Sequence, residues 1–297
     1  MERGIYVMDD QQFRQLLQYF KLSWQGYRKV RKGVKRRICR HMSFLGCRNV
    51  TAYILELEKS EEARRQCERL MTVSISRFFR DRKLWEILQE EILPQLVERH
   101  RRKIKVWSAG CACGEEVYSL KIIWEVLTAS IKGMPGLEIT GTDMNPIYLE
   151  RARTGIYPSS SLKELPERLR SVYFRGQPAK KSHIVMPSLK KGIIWKLNHL
   201  LADPPGSSFE LVFLRNNVLT YYQDELKKYS LKKVINCLAL DGLLIIGSHE
   251  KLPLERLDLV PLSSLPYVFK KSKGCEQVKR QKAFYDSLIM YFQGVLT

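Results

Sequence analysis

Apolar positions change their spacing once along this chain, near residue 104. Before that point they recur every three or four residues, the period of one helical face. Phe13, Leu16, Leu17 and Phe20 make one such stripe, and Val30, Val34, Ile38 and Met42 make a second. Further helical patterns cover 50–57 and 61–71. Trp85, Leu88, Ile92 and Leu96 mark another helix after the stretch MTVSISRFFRDRK. Residues 8–100 therefore read as wholly helical. From 104 onward, short apolar runs alternate with helical patterns. Strands are predicted at 104–107, 137–142, 193–197, 211–214, 243–247 and 266–270, and helices at 115–128, 146–154, 161–165, 166–172 and 224–237. Short apolar strands separated by helices give an α/β fold with a parallel, doubly wound sheet. The segment 174–191 breaks that rhythm, and 183–186 within it reads as a strand of a small β insert. With a boundary near 72–102, the expected organisation is a helical domain over 1–85, an α/β domain over 86–277 with the insert at 173–192, and a tail over 278–297.

Charge adds a second feature to the helical half. The chain has 297 residues and a formal net charge of +20, which calls for a polyanionic partner or an acidic protein surface. Residues 21–48 hold ten lysines and arginines and no acid. The 30/34/38/42 stripe buries one side, so Arg28, Arg31, Lys35, Arg36, Arg37 and Arg40 are expected to face outward as a docking surface. The alternative is a solvated charge face without a partner. The start MERGIYVMDDQQF has no apolar core of a signal peptide, and no run approaches 18 apolar residues, so a cytoplasmic protein without membrane insertion is expected. The seven cysteines are scattered, and Cys111-Ala-Cys113 lacks the spacing of a zinc pair. Reduced thiols and no metal site are expected.

The candidate chemistry centres on residues 103–120, KIKVWSAGCACGEEVYSL. It reads as a buried strand, a tight turn through Gly110 and Gly114, and a helix start with Glu115 and Glu116 in its first turn. Such a turn lets a ligand approach the backbone closely, and strand–turn–helix is the usual cradle for a nucleotide-like ligand. The two acids would repel a phosphate and favour a ligand with hydroxyls or positive charge. S-adenosylmethionine (SAM) carries a ribose, an ammonium and a sulfonium. Asp143, at the end of the second strand, suits a grip on ribose hydroxyls, or else caps the helix that begins at Pro146. Arg215, Asn216 and Asn217 stand at the carboxyl end of the strand 211–214, where ligands bind in open α/β sheets. They read either as a floor under the ligand or as a structural hydrogen-bond network.

Taken together, SRFFR at 76–80, WSAGCACGEEVYS at 107–119, Thr142-Asp143, LERA at 149–152 with Gly155-Ile156-Tyr157, Leu200-Leu201 and the segment 213–221 occur in an order that resembles the chemotaxis-receptor glutamate O-methyltransferases of the CheR type. The resemblance covers about residues 8–272. It implies a helical N-terminal domain, a SAM-binding Rossmann-like domain with a small antiparallel insert, and methyl transfer to glutamates on receptor helices, leaving S-adenosyl-L-homocysteine. Carried over by position, Ser76 and Arg80 would line the SAM site. Gly110, Glu116 and Tyr118 would hold the methionine end, Asp143 the ribose, and His199 and Leu200 the adenine. Arg215 and Tyr221 would stand near the reaction centre, and Arg80 with Arg215 would orient carboxylates. The partner implied is an acidic helical coiled coil of a chemoreceptor or related signalling protein, docked on the basic helix region.

This chain departs from the family pattern at several of these positions. His199 stands where the family has Asn or Asp, so a backbone contact is what would remain there. Cys113 takes a Ser/Thr position. Asn216-Asn217 adds one residue, which shifts Tyr221. The insert has the single glycine Gly176 where tether-binding members have a glycine-rich loop, so no tether peptide is expected to bind. Two rival readings are a nucleic-acid methyltransferase, suited by the net charge, and a catalytically silent SAM-binding regulator. The first lacks an Asp/Asn-Pro-Pro-Tyr motif and any recognisable RNA-binding motif.

Overall fold

The computed structural model describes residues 7–177, 179, 181–252, 258–262 and 265–272. The expected tail at 278–297 lies outside the described residues.

The helical half begins with α1 (Asp10–Tyr19), started by a capping box in which Asp9 accepts from the Gln12 backbone N–H and Gln12 accepts from that of Asp9. The short α2 (Trp24–Tyr27), α3 (Arg31–Phe44), α4 (Val50–Lys59) and α5 (Glu61–Met71) follow. Asn49 and Ser60 cap α4 and α5 with their side chains, each worth about 1 kcal/mol. Phe13, Leu16, Leu17, Val34, Ile38, Met42, Tyr53, Leu57 and Met71 form the core of this half. The stripe read from the sequence is the buried one, with Val30 at its margin.

Residues 72–81 correct the expectation of a wholly helical 8–100. They form an irregular connector in which Phe79 and Asp81 adopt left-handed φ values of 55° and 63°. Phe78 and Phe79 nonetheless bury into the core of the sheet half, together with Leu84 and Trp85. Burial therefore divides the chain between Met71 and Phe78, ahead of the expected 85/86 boundary. A helix then runs through α6 (Arg82–Ile87), a π turn (Leu88–Ile92) and α7 (Leu93–Arg99). Pro94, which has no N–H to donate to the preceding turn, sits at the junction.

The sheet has the order β6-β2-β1-β7-β8-β10-β9. Its strands are β1 (Lys103–Ala109), β2 (Gly136–Asp143), β6 (Ile193–Leu197), β7 (Phe209–Leu214), β8 (Leu238–Ile246), β9 (Leu259–Pro261) and β10 (Val268–Lys271). The first five in spatial order are mutually parallel. The expected all-parallel sheet is corrected at its far edge, where β10 runs antiparallel to both β8 and β9. Helices α8 (Glu115–Ser130), α9 (Pro146–Thr154) and α13 (Asp224–Cys237) cross between strands. A 3-10 turn (Ser159–Leu162) replaces the helix expected at 161–165, and α10 (Glu167–Tyr173) follows. The insert is a separate antiparallel sheet, β3-β5-β4, built from β3 (Ile156–Pro158), β4 (Phe174–Gln177) and β5 (Ser182–Val185). Short α11 (Pro187–Lys190) and α12 (Val218–Tyr221) complete the fold.

Chain order reverses at β1, which has β2 on one side and β7 on the other. A crevice opens beyond the carboxyl ends of strands at such a switch point. The helical half closes that crevice from outside. Leu22 bridges Tyr222, Ser23 N donates to the Tyr221 carbonyl (2.8 Å), and Gln223 N donates to the Lys21 carbonyl (2.9 Å).

Candidate functional site

The turn after β1 is held by the end of β2. Gly110 N and Cys111 N both donate to the Thr142 carbonyl, at 2.9 and 2.8 Å. Gly110 has φ +80°, and a Cβ there would lie 2.5 Å from Asn217 Nδ2, so only glycine fits. Asp143 accepts from Ala112 N (3.0 Å) and from Asn145 N (2.8 Å). Burial raises its carboxyl above the usual aspartate value, and the N–H bonds pull the other way. The capping alternative for Asp143 is settled by Asn145, whose own side chain accepts from Ile147 N at the start of α9.

Beside this turn lies a partly buried charge network centred on Arg215. Arg215, 8% exposed, donates from Nη1 to Glu116 Oε2 (2.9 Å) and from Nη2 to Asp81 Oδ2. Ser108 Oγ donates to the other Glu116 oxygen (2.7 Å). One arginine thus joins the connector, the first turn of α8 and the end of β7. Removing one partner would leave the buried guanidinium short of a counter-charge. The connector is fixed further where Phe79 N donates to Ser119 Oγ (3.0 Å) and Trp85 Nε1 donates to the Arg80 carbonyl (2.7 Å). The Arg80 side chain donates to the Ile75 carbonyl (2.8 Å).

The Asn216-Asn217 pair has a clear structural form. Asn216 takes a left-handed φ of 55°. Asn217 caps α12, accepting from Val218 N while its amide donates to the Ala109 carbonyl. Tyr221 ends α12 with its ring 5.0 Å from that of Tyr27, and burial raises its phenol.

A cavity of about 830 Å³ occupies the crevice. Ser76, Arg80, Gly110, Glu116, Asp143, His199, Leu200, Arg215 and Tyr221 all line it, so the structure brings these expected residues together. Tyr118 is placed elsewhere. It is fully buried on the inner side of α8, donates to the Ala152 carbonyl (2.8 Å), and faces Tyr157 and Trp195. Three positions after Glu115, it points to α9 rather than to the crevice. Cys113 is a buried turn residue whose carbonyl accepts from Tyr157 Oη (2.6 Å). His199 Nδ1 accepts from Leu201 N (3.1 Å), and burial lowers its pKa, which favours the neutral ring.

The six cysteines among the described residues are free thiols, and no His/Cys/Asp/Glu group among those residues could hold a metal. No helix of the described residues is long and apolar enough to cross a membrane.

The basic set divides in two. Arg31 and Lys35 pair with Asp10 on α1, at 3.1 and 2.7 Å. Arg37 donates to the Leu70 and Thr72 carbonyls at the end of α5 (2.9 and 2.8 Å). These three hold the helical half together, which corrects their placement on an outward docking face. Arg28, Arg36 and Arg40 are exposed, as are Lys29 and Lys32, and Arg28 and Lys29 also line the cavity.

Sequence reasoning missed Asp81, Tyr148 and Glu250. Asp81 is the residue after the SRFFR stretch. Tyr148 lines the cavity and bonds Thr72 (3.3 Å). Glu250 lies just past the carboxyl end of β8, where the reasoning applied to β7 could have found it.

The residues present fit SAM. A glycine cradle with no room for a Cβ stands beside one carboxylate suited to ribose hydroxyls, Asp143, and one suited to an ammonium, Glu116, over half-apolar walls. The family described as CheR methyltransferase, SAM binding domain, matches residues 74–268. A chemotaxis protein methyltransferase of Listeria innocua is 36% identical over 185 residues, covering 62% of this chain and 67% of that protein. One of Borreliella burgdorferi is 30% identical over 225 residues, covering 73% of this chain and 79% of its own length. With its Rossmann-like sheet, helical N-terminal half and small β insert, the chain belongs to the CheR family of SAM-dependent methyltransferases.

Proposed function

We propose that this chain methylates glutamate side-chain carboxylates on the cytoplasmic helices of a chemoreceptor or related signalling protein, forming glutamate methyl esters. The observation that carries this reading is the continuity of one cavity from Gly110, Glu116 and Asp143 to Arg28 and Lys29, where the exposed basic face of the helical half begins. An acidic coiled coil lying on that face would present a carboxylate at the cavity mouth.

When bound, SAM supplies an electrophilic methyl group. A free glutamate side chain titrates near pH ~4.3 and is ionised at neutral pH, so no general base is assigned. The chain's part is positioning, for which effective molarities on the order of 10⁵ M are attainable. Asp143 and Glu116 orient the two ends of the cofactor. Arg80 draws the acceptor carboxylate into the cavity, and Tyr221 forms the wall beside it. Arg215, locked between Asp81 and Glu116, orients Glu116 rather than the acceptor. The insert, with Gly176 inside β4, is assigned no tether peptide.

The test is transfer of label from methyl-tritiated SAM to a receptor cytoplasmic fragment, with RNA as a control acceptor. Base-labile label in the protein is the expected result. Label in RNA would replace this reading with nucleic-acid methylation, and binding without transfer would replace it with a silent SAM-binding regulator.

A further inference from the structure

Glu250 has no role in the reading above, yet it lines the cavity and its carboxylate accepts three hydrogen bonds. Oε2 accepts from Asn216 N (2.9 Å) and from Gly247 N (2.7 Å), and Oε1 accepts from Thr220 Oγ1 (2.5 Å). These partners span both ends of the turn that carries Arg215 to Tyr221. Asn216 is the left-handed residue of that turn, a conformation that asparagine adopts more readily than other non-glycine residues. Neither Asn216 nor Gly247 has a ladder partner for its N–H, because both lie just past the ends of β7 and β8. The fit leaves no slack, since a Cβ on Gly247 would lie 2.8 Å from Glu250 Oε2 and 2.9 Å from Asn216 Oδ1.

We propose that Glu250 is a positioning residue for methyl transfer: it pins the left-handed turn at Asn216 and the start of α12, and thereby fixes where Tyr221 meets the cavity. Without these bonds the 215–217 turn and Tyr221 after it would be free to shift. A displacement near 1 Å at a reacting centre can cost about 10²-fold in rate. The carboxylate acts as a hydrogen-bond acceptor at three points, and a glutamine can reproduce all three. Its amide oxygen takes the two backbone N–H groups, and its NH₂ donates to Thr220 Oγ1, which can accept as well as donate.

The inference rests on the methyltransfer reading, so its test has one arm that needs no acceptor. Backbone hydrogen exchange is followed in wild type, Glu250→Ala and Glu250→Gln over peptides covering 215–222 and 244–250. SAM affinity is measured by calorimetry, and turnover on the receptor fragment with labelled SAM. In E250A, protection at Asn216 and Gly247 should be lost and kcat should fall on the order of tenfold or more, with SAM affinity within about twofold of wild type. E250Q should restore both protection and most of the lost turnover. Unchanged protection in E250A would overturn the proposal. So would an E250Q protein that keeps protection but remains as slow as E250A, because charge would then be the operative property. If wild type transfers no methyl to the fragment, the substrate reading fails, while the exchange comparison still decides whether Glu250 pins the turn.

Discussion

Asp143 holds its own loop while lining the cavity. Two backbone N–H groups, from Ala112 and Asn145, hold its carboxylate in a buried site. Burial favours the neutral form and raises the pKa above the ordinary 3.8. Between the unfolded and the raised folded value, the native state binds more protons, so this group's contribution to stability falls as pH rises through that window. Cofactor affinity runs the other way, because ribose hydroxyls donate to the ionised form. SAM titrations should therefore weaken as pH falls toward the raised Asp143 value, and Asp143→Asn should bind weakly with a flat profile. Arg80 gives a second test at this scale. Its carbonyl accepts from Trp85 and Arg215, and an alanine keeps those bonds. Arg80→Ala should retain the fold by circular dichroism while turnover falls about 10²-fold, the typical loss when one donor to reacting charge is removed. Full turnover with unchanged SAM binding would remove Arg80 from the site. At this scale the sequence was informative wherever a motif fixed a position. Gly110, Asp143 and Glu116 line one cavity, whereas Tyr118 packs toward α9; the motif does not say which side of α8 faces the crevice.

Among the elements, α2 and α12 meet tightly at Gly26. A Cβ on Gly26 would lie 2.2 Å from the Thr220 carbonyl oxygen, a backbone atom that cannot swing aside. Gly26→Ala should push the helical half away from the site wall, at a cost typical of overpacking, about 1–3 kcal/mol. A lowered Tm together with a raised KM for the protein acceptor would report it, and wild-type values for both would refute it. Periodicity revealed most helices and the central strands, because their apolar positions follow one clear period. It failed where no period exists. The connector 72–81 buries Phe78 and Phe79 through irregular backbone. β9 has three residues, and the antiparallel direction of β10 depends on pairing, which apolar spacing does not encode. β3 and β4 of the insert are too short to carry alternation.

For the whole molecule, the net charge of +20 matters most where it is unpaired. The run 21–48 contains no acid, yet α1 supplies Asp10 to two of its cations, and the carbonyls ending α5 take a third. Tertiary pairing of this kind cannot be read from a linear charge count. A test of docking therefore belongs on the exposed residues. Arg36→Glu with Arg40→Glu should raise KM for a receptor fragment at low salt and leave SAM affinity unchanged. The difference from wild type should shrink as salt rises, since exposed charges are screened over about 8 Å at physiological ionic strength. An unchanged KM at every salt concentration would move docking elsewhere on the surface.

The cavity lies between two hydrophobic cores, and its rim is joined by the backbone bonds of Lys21 and Ser23 with Gln223 and Tyr221, by Thr72 with Tyr148, and by the Tyr27–Tyr221 ring contact. A molecule filling it touches both cores, so it also acts as mortar between them. Saturation at 100 times Kd adds about 2.7 kcal/mol against any opening that empties the cavity. In scanning calorimetry, the two halves of the ligand-free chain should melt in separable steps, and with excess SAM those steps should fuse into one. Cofactor supply would then set the cooperativity of this protein as well as its turnover.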